Sequence, residues 1–406
     1  MEQTSIFKLS TSIKEFRVGY STDIGGGEEN QDDYLIYENG EHNISVFGIF
    51  DGHNKENGKI AAISAKDKLI EFINENLLLL KSNPVETIRT AYIRAHENIK
   101  QNLKDAYIKE GYTVIETPDG YLIKRKSIYI PWSCIHGGST CTIIIIVDNI
   151  MYISNVGDSS ALLYSVDPEL DENDIQYITD CAYPTKFIND NIVSSDLKKS
   201  DTIKLTSDHS PENIREFYRI RDHYPNPREP LKPYLQFIYD KYGYPKCYCP
   251  NLFNIDNCGI PSLTNEGKYH KTVRGDFATY IITPLSSQFT EQLAFTRTLG
   301  DFQLQKYGVS HLPEIKSIDL DKLFKKVTSP LCIVIASDGV WDNWLYEDVT
   351  KFITESNRVE KVFTDKNGCQ EITDEFMKLN QEKARTNFGN TADNATSIIV
   401  YISNKI

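Results

Sequence analysis

The sequence predicts an α+β fold in which antiparallel sheets are flanked by helices, with insertions carried on that core. Three observations lead there. Apolar stretches come in adjacent pairs joined by turn dipeptides: residues 33–38 and 44–50 around Asn39-Gly40, and residues 140–147 and 150–156 around Asp148-Asn149. Asn, Asp and Gly tolerate the backbone angles of tight hairpins. Two long stretches, 56–80 and 85–106, carry apolar residues at helical spacing. Strands and helices do not alternate strictly, as a doubly wound parallel sheet would require.

Taken in order, residues 15–23 read as an opening strand, followed by the first hairpin and the two long helices. Pro84 opens the second helix, where its missing N–H is no loss. The second hairpin follows. Residues 331–336 are apolar throughout and read as a buried strand, 346–355 and 370–385 as helices, and 395–403 as a closing strand. The stretches 107–136, 167–200 and 223–290 fit this plan poorly and read as insertions on a single domain spanning 1–406. Pro225, Pro227, Pro230, Pro233 and Pro245 make the third largely irregular.

With 406 residues, 40% apolar and 25% charged, the chain can bury a sizeable core. Its net charge of −13 argues against a nucleic-acid partner, since phosphate neutralisation needs an excess of Lys and Arg, and is compatible with binding divalent cations. No apolar run approaches the roughly 18 residues of a membrane span. The start, Met1-Glu2-Gln3-Thr4-Ser5, has neither the basic nor the apolar part of a signal peptide. The 8 cysteines are scattered, as reduced thiols are. Cytoplasm or nucleus is the expected location.

The informative feature is where the aspartates sit. Asp51 follows the strand 44–50, Asp158 the strand 150–156, and Asp338 the strand 331–336, while Asp32 and Asp393 immediately precede strands. Strand ends can gather such residues at one place. Convergent carboxylates cannot all ionise without cations between them. An all-oxygen ligand set prefers Mg²⁺ or Mn²⁺ to Zn²⁺, and two such ions sharing a carboxylate make a phosphoester-cleaving device.

The flanking residues sharpen this. In order, the chain carries Gln31-Asp32-Asp33, Phe50-Asp51-Gly52-His53, Gly138-Ser139-Thr140, Asn155-Val156-Gly157-Asp158-Ser159, Leu205-Thr206-Ser207-Asp208-His209-Ser210-Pro211, Arg297-Thr298-Leu299-Gly300-Asp301, Ser337-Asp338-Gly339-Val340-Trp341-Asp342 and Asp393-Asn394-Ala395-Thr396. This ordered set, running from about Arg17 to Ile402, resembles the protein phosphatase 2C family of metal-dependent serine/threonine protein phosphatases. The resemblance implies a central β-sandwich with helices on both outer faces and a two-metal Mg²⁺ or Mn²⁺ site at one end. It implies that Asp51 bridges the ions, the Gly52 carbonyl binds one, Asp338 and Asp393 complete the other, and Asp32 holds water on a metal. Asp158, with Asp338, would contribute to a weaker third metal site; Asp342 could help there or cap the segment that follows. His53 would be the general acid. Phosphoserine and phosphothreonine would then be hydrolysed by a metal-activated water, without a covalent phosphoenzyme. The substrates would be phosphoproteins, and the family default is a monomer.

The pattern departs from the family at several places. The position of the Arg that grips the substrate phosphate is Gly27, in Gly25-Gly26-Gly27-Glu28-Glu29. Gly cannot make the paired N–H bonds that Arg offers to phosphate. That run reads as a flexible turn; a phosphate-cradling loop would need a following Lys-Ser/Thr and a helix. Ser160 also stands where the family has Arg. Lys55, or Lys124-Arg125-Lys126 in the first insertion, could supply the missing cation or be solvated surface charge. In the third insertion Cys247, Cys249, Cys258 and His270 could bind zinc, although their spacing matches no common motif. Tyr234, Tyr239, Tyr242 and Tyr244 could form a docking surface or a local core. A catalytically weak or silent phosphatase-like scaffold is the rival reading. Other enzyme classes lack their signatures: no Cys precedes an Arg at the tyrosine-phosphatase spacing, Asp319-Leu320-Asp321 leads into Lys322-Leu323, and no His-Glu-x-x-His occurs.

Overall fold

Two antiparallel sheets pack face to face in the middle of the molecule. The structure, a computed structural model, describes residues 14–167, 169–179, 200–224, 226, 228–241, 248–327 and 330–404. One sheet has the order β1 (Lys14–Asp23), β22 (Ala395–Asn404), β21 (Leu331–Ala336), β11 (Ser160–Ser165), β13 (Thr202–Lys204). The other runs β12 (Gln176–Thr179), β20 (Glu314–Asp319), β10 (Ile150–Val156), β9 (Cys141–Val147), β3 (Ile44–Phe50), β2 (Asp33–Asn39). Both expected hairpins form, β2 with β3 and β9 with β10.

The apolar strands are explained by burial on two sides. Ile144 and Ile146 point into the core between the sheets, with Phe47, Ile49, Ile333, Ile335, Ile398 and Val400. Their neighbours Ile143 and Ile145 face outward, against Ala61, Leu69, Tyr92, Ile99 and Leu103 of the helices α1 (Gly58–Glu75) and α3 (Pro84–Lys109). A strand covered on both faces has no polar side to show, so its sequence runs apolar without alternation. The first sheet is covered in the same way. Val334, Ile399 and Tyr401 pack under α8 (Tyr346–Thr354) and α10 (Gly368–Phe388), with α9 (Ser356–Thr364) alongside. The fold is therefore the expected α+β sandwich flanked by helices on both faces.

The structure corrects several boundaries. The stretch 56–80 is broken at Asn76, after which a short α2 (Leu77–Ser82) begins. The first insertion is shorter than expected, because α3 runs on to Lys109; it then forms a small sheet, β5 (Thr113–Glu116), β6 (Leu122–Arg125) and β7 (Ser133–Cys134). The third insertion is less irregular than its prolines suggest. Its sheet, β14 (Gln236–Tyr239), β17 (Thr279–Ile282) and β18 (Gln292–Leu293), and the hairpin β15 (Phe253–Ile255) with β16 (Pro261–Leu263) share a core of Phe217, Phe237, Tyr239, Leu252 and Ile281. Much of the second insertion lies outside the described residues, as do Pro225, Pro227, Tyr242, Tyr244, Pro245 and Cys247 of the third.

The helix α4 (Ile214–His223) ties the third insertion to the sandwich through a buried ion cluster. Glu216 meets Arg219 and Arg297, each at 2.7 Å, and Arg219 also donates to the carbonyls of Thr296 and Gly308. Burial would raise the Glu216 pKa, but the two guanidinium groups hold it well below the usual carboxylate range. Among the described residues no helix is long and apolar enough to cross a membrane.

Candidate active site

At one end of the sandwich three two-residue strands, β4 (Gly52–His53), β8 (Gly138–Ser139) and β19 (Leu299–Gly300), join into a small sheet. Gly52 pairs with Ser139, and His53 with Gly138, while Gly138 pairs with Gly300 on its other side. Gly138 is needed at this crossing: a Cβ there would lie 2.4 Å from Asp301 Oδ2 and from the Leu299 carbonyl. Through that gap Asp301 Oδ2 reaches His53 Nε2 at 2.6 Å. Asp301 holds a left-handed backbone (φ 43°) at the start of the short helix α5 (Phe302–Gln305), and Thr298 Oγ1 donates to the same carboxylate oxygen at 2.9 Å. A side chain fixed at such a backbone angle is positioned for a purpose. The His53 ring meets the edge of Phe295. Burial works against a charged ring, but Asp301 outweighs it and raises the His53 pKa above its ordinary value.

The aspartates converge beside this histidine. Asp51, Asp158, Asp338, Asp342 and Asp393 line one cleft of about 630 Å³ together with His53. Asp32 lies behind it, 3% exposed, and accepts a hydrogen bond from Ser337 Oγ at 2.8 Å. Ser337 is itself fixed by the Thr396 backbone N–H. Gly52 fits only without a side chain, since a Cβ would lie 2.2 Å from the Gly58 carbonyl. Asn394 pins the glycine turn by donating to the carbonyls of Ile24 and Glu29 and accepting from the Gln31 N–H. Asp338 sits at the first position of the one-turn helix α7 (Asp338–Trp341).

Burial and mutual repulsion push these acids up: Asp51 well above the usual range, Asp32 to about 7 and Asp393 to about 6. One oxygen each of Asp32, Asp158 and Asp338 is buried without a hydrogen-bond partner. Buried carboxylates that repel one another and leave oxygens unsatisfied suit hard divalent cations. The residues present therefore fit Mg²⁺ or Mn²⁺. Among the described residues no three His, Cys, Asp or Glu side chains already stand closed around a single point; at the Asp158 side of the cleft a lysine ammonium stands among the acids.

That lysine is Lys271, from the third insertion. Its Nζ lies 2.7 Å from Asp338 Oδ2, 3.2 Å from Asp158 Oδ2 and 3.9 Å from Asp342 Oδ2. Lys271 and Arg274 line the cleft, and neither stands out in the sequence, where both lie in a polar loop far from any motif. Asp342 faces the cleft and is not the cap of α8, which is Leu345. The cations considered from sequence lie elsewhere. Lys55 is 88% exposed and 3.6 Å from Glu28. Lys124 pairs with Glu56 over the Tyr107 ring, and Arg125 stacks on Trp132. Ser160 donates to Asp208 Oδ1, while Lys204 donates to the other oxygen, Oδ2. At Gly27 a Cβ would make only ordinary contacts, the nearest 3.5 Å from the Glu29 carbonyl. Of the zinc candidates, Cys258 is exposed and His270 Nδ1 lies 2.8 Å from the Gly275 carbonyl. Tyr239 is buried in the insertion core and Tyr234 packs between Tyr224 and Tyr307, which favours the local-core reading for both.

A sequence model described as "Protein phosphatase 2C" matches residues 11–172 and 280–387. The chain belongs to the protein phosphatase 2C family. The match takes in Asp32, Asp51, Gly52, His53, Asp158, Asp301 and Asp338, and leaves out 173–279, the stretch that holds Lys271 and Arg274. Probable protein phosphatase 2C 35 of Arabidopsis thaliana is 24% identical over 92% of this chain and 79% of its own length. Protein phosphatase 1L of Bos taurus is 23% identical over 76% of this chain and 54% of its own. The fold matches a serine-threonine phosphatase 2C from Toxoplasma gondii with TM-score 0.55, 15% identity and coverage of 96% and 95% of the two chains. It also matches a C. elegans sex-determining protein (TM-score 0.53, 16% identity), spanning 95% of this chain but only 64% of that one. Family membership supports the class of protein serine/threonine phosphatase for this chain.

Proposed function

We propose that this phosphatase 2C chain hydrolyses phosphoserine and phosphothreonine in proteins with the help of Mg²⁺ or Mn²⁺. The observation that carries the proposal is the gathering of Asp51, Asp158, Asp338 and Asp393 beside His53 in one cleft, with Asp32 buried behind them and carboxylate oxygens of Asp32, Asp158 and Asp338 left unsatisfied. Asp51, the Gly52 carbonyl, Asp338 and Asp393 would hold two ions, with Asp32 bound through water and Asp158 beside them. Such ions supply Lewis-acid neutralisation of the phosphoryl oxygens and a water of lowered pKa.

The chain's own residues do the rest. The acids exclude other anions from the cleft until cations balance them. A protonated His53 keeps Nε2–H on Asp301, so Nδ1–H is the proton it can give to the departing Ser or Thr oxygen; Nδ1 is buried without a hydrogen-bond partner. Asp301, held by Thr298, orients the ring and favours its charged form. Protonation of the leaving oxygen matters because a serine or threonine alkoxide is a poor leaving group.

The test is release of phosphate from a phosphothreonine peptide by the purified chain in Mn²⁺, with and without EDTA, beside Asp338→Asn. Activity that both chelation and the substitution abolish is the expected result. A folded, Mn²⁺-binding chain with no activity would favour the scaffold reading instead.

A further inference from the structure

We propose that Lys271 is a built-in cation of this active site, standing at Asp158, Asp338 and Asp342 where a third metal ion would otherwise bind. The inference rests on the metal-dependent reading above and adds to it.

Its first support is geometry. The ammonium contacts Asp338 and Asp158 within hydrogen-bond distance and lies 3.9 Å from Asp342. One oxygen of each of these three carboxylates lies within 3.9 Å of the same ammonium. A single tethered positive charge thus does the balancing that hydrated divalent ions do at the neighbouring acids.

Its second support is independent of the acids. The loop carrying Lys271 is docked by its own backbone and by a second side chain. Val273 N–H donates to the Asp342 carbonyl at 3.0 Å. Arg274 donates to the carbonyls of Trp341 and Trp344 and lies over the Tyr346 ring. Within the loop, Lys271 N–H bonds to the Asp276 carbonyl at 2.7 Å, and the His270 ring stacks on Phe277. The turn is closed on itself and clamped to the segment between Asp338 and Trp344, so the lysine is aimed and not merely near. The loop lies in the stretch that the family model does not match, so the cation is an addition of this chain's own insertion.

Native mass spectrometry of the full chain across a Mn²⁺ titration tests the proposal. Wild type is expected to saturate at one Mn²⁺ fewer than Lys271→Met, whose neutral side chain leaves the three carboxylates for a metal. Equal counts in the two proteins would overturn the inference while leaving the phosphatase reading intact. No bound Mn²⁺ in either protein would overturn both. A measurement on wild type alone guards against a misfolded variant: amide hydrogen exchange over residues 270–277 is expected to be the same with and without saturating Mn²⁺. Faster exchange there on adding Mn²⁺ would mean that metal displaces the lysine, and would overturn the inference.

Discussion

His53 is held at one nitrogen and left open at the other, the asymmetry that the proposed general acid requires. His53→Ala is expected to lower kcat on a phosphothreonine peptide by roughly 10²-fold or more, the usual size of a general-acid contribution. On an aryl phosphate, whose leaving group needs no proton, the loss should be far smaller; equal losses on the two substrates would refute the acid role. The Asp-Gly-His run is contiguous and so visible in the sequence. Its partner Asp301 stands 248 residues further along, and only the pairing of β4, β8 and β19 brings it close. Lys271 was illegible for a similar reason: nothing in a Tyr-His-Lys-Thr loop says that it folds over aspartates. Gly27 is the opposite case, plain in the sequence, and a Cβ there would meet only ordinary contacts. Gly27→Arg is expected to lower KM for the phosphopeptide with little change in stability, measured by initial rates and thermal melting; an unchanged KM would show that phosphate binding is limited elsewhere.

The helix α4 carries its weight through one carboxylate. Glu216→Gln removes the carboxylate that two buried guanidinium groups share, and loss of one partner from such a cluster costs about 3–5 kcal/mol. Urea denaturation should show that loss of stability; a change under 1 kcal/mol would mean the cluster relaxes freely. The elements that could be read ahead were those buried on both faces, β3, β9 and β21, together with the long amphipathic helices. β20 could not, because its sequence, Glu-Ile-Lys-Ser-Ile-Asp, looks like surface. In the fold Lys316 pairs with Glu314 at 2.8 Å and donates to Ser207, so the charges satisfy one another under cover. The helix α9 hides differently: Val362 is its one buried residue, too few to mark a period.

Across the whole molecule, buried histidines make the fold sensitive to acid. Burial, aided by Arg297, lowers His209 to about 4, and burial lowers His311 to about 4 and holds His96, its ring stacked on His311, well below its ordinary value. Each is neutral in the fold but takes a proton near 6.5 when unfolded. Their stabilisation is therefore complete above pH 6.5 and is lost as pH falls from there towards 4. For His209 alone the linkage amounts to about 3 kcal/mol over that window. The stability of wild type relative to His209→Gln, from urea midpoints at pH 7, 6 and 5, should decline with pH; a constant difference would show that His209 is charged in the fold. The overall architecture was the most legible level of all, since hairpins, helices and strand-end aspartates agree on it, whereas the insertion's own core had no such pattern. The sandwich also has a schedule. Among the described residues the strand β1 pairs only with β22, in register from Lys14 with Asn404 to Asp23 with Ala395, and Asp393 stands two residues before β22. During synthesis β1 must wait for nearly four hundred residues to follow it, and the last of the gathered aspartates arrives with its partner strand. A nascent chain short of that strand thus lacks the neighbour of both β1 and β21, and one of the gathered aspartates with it.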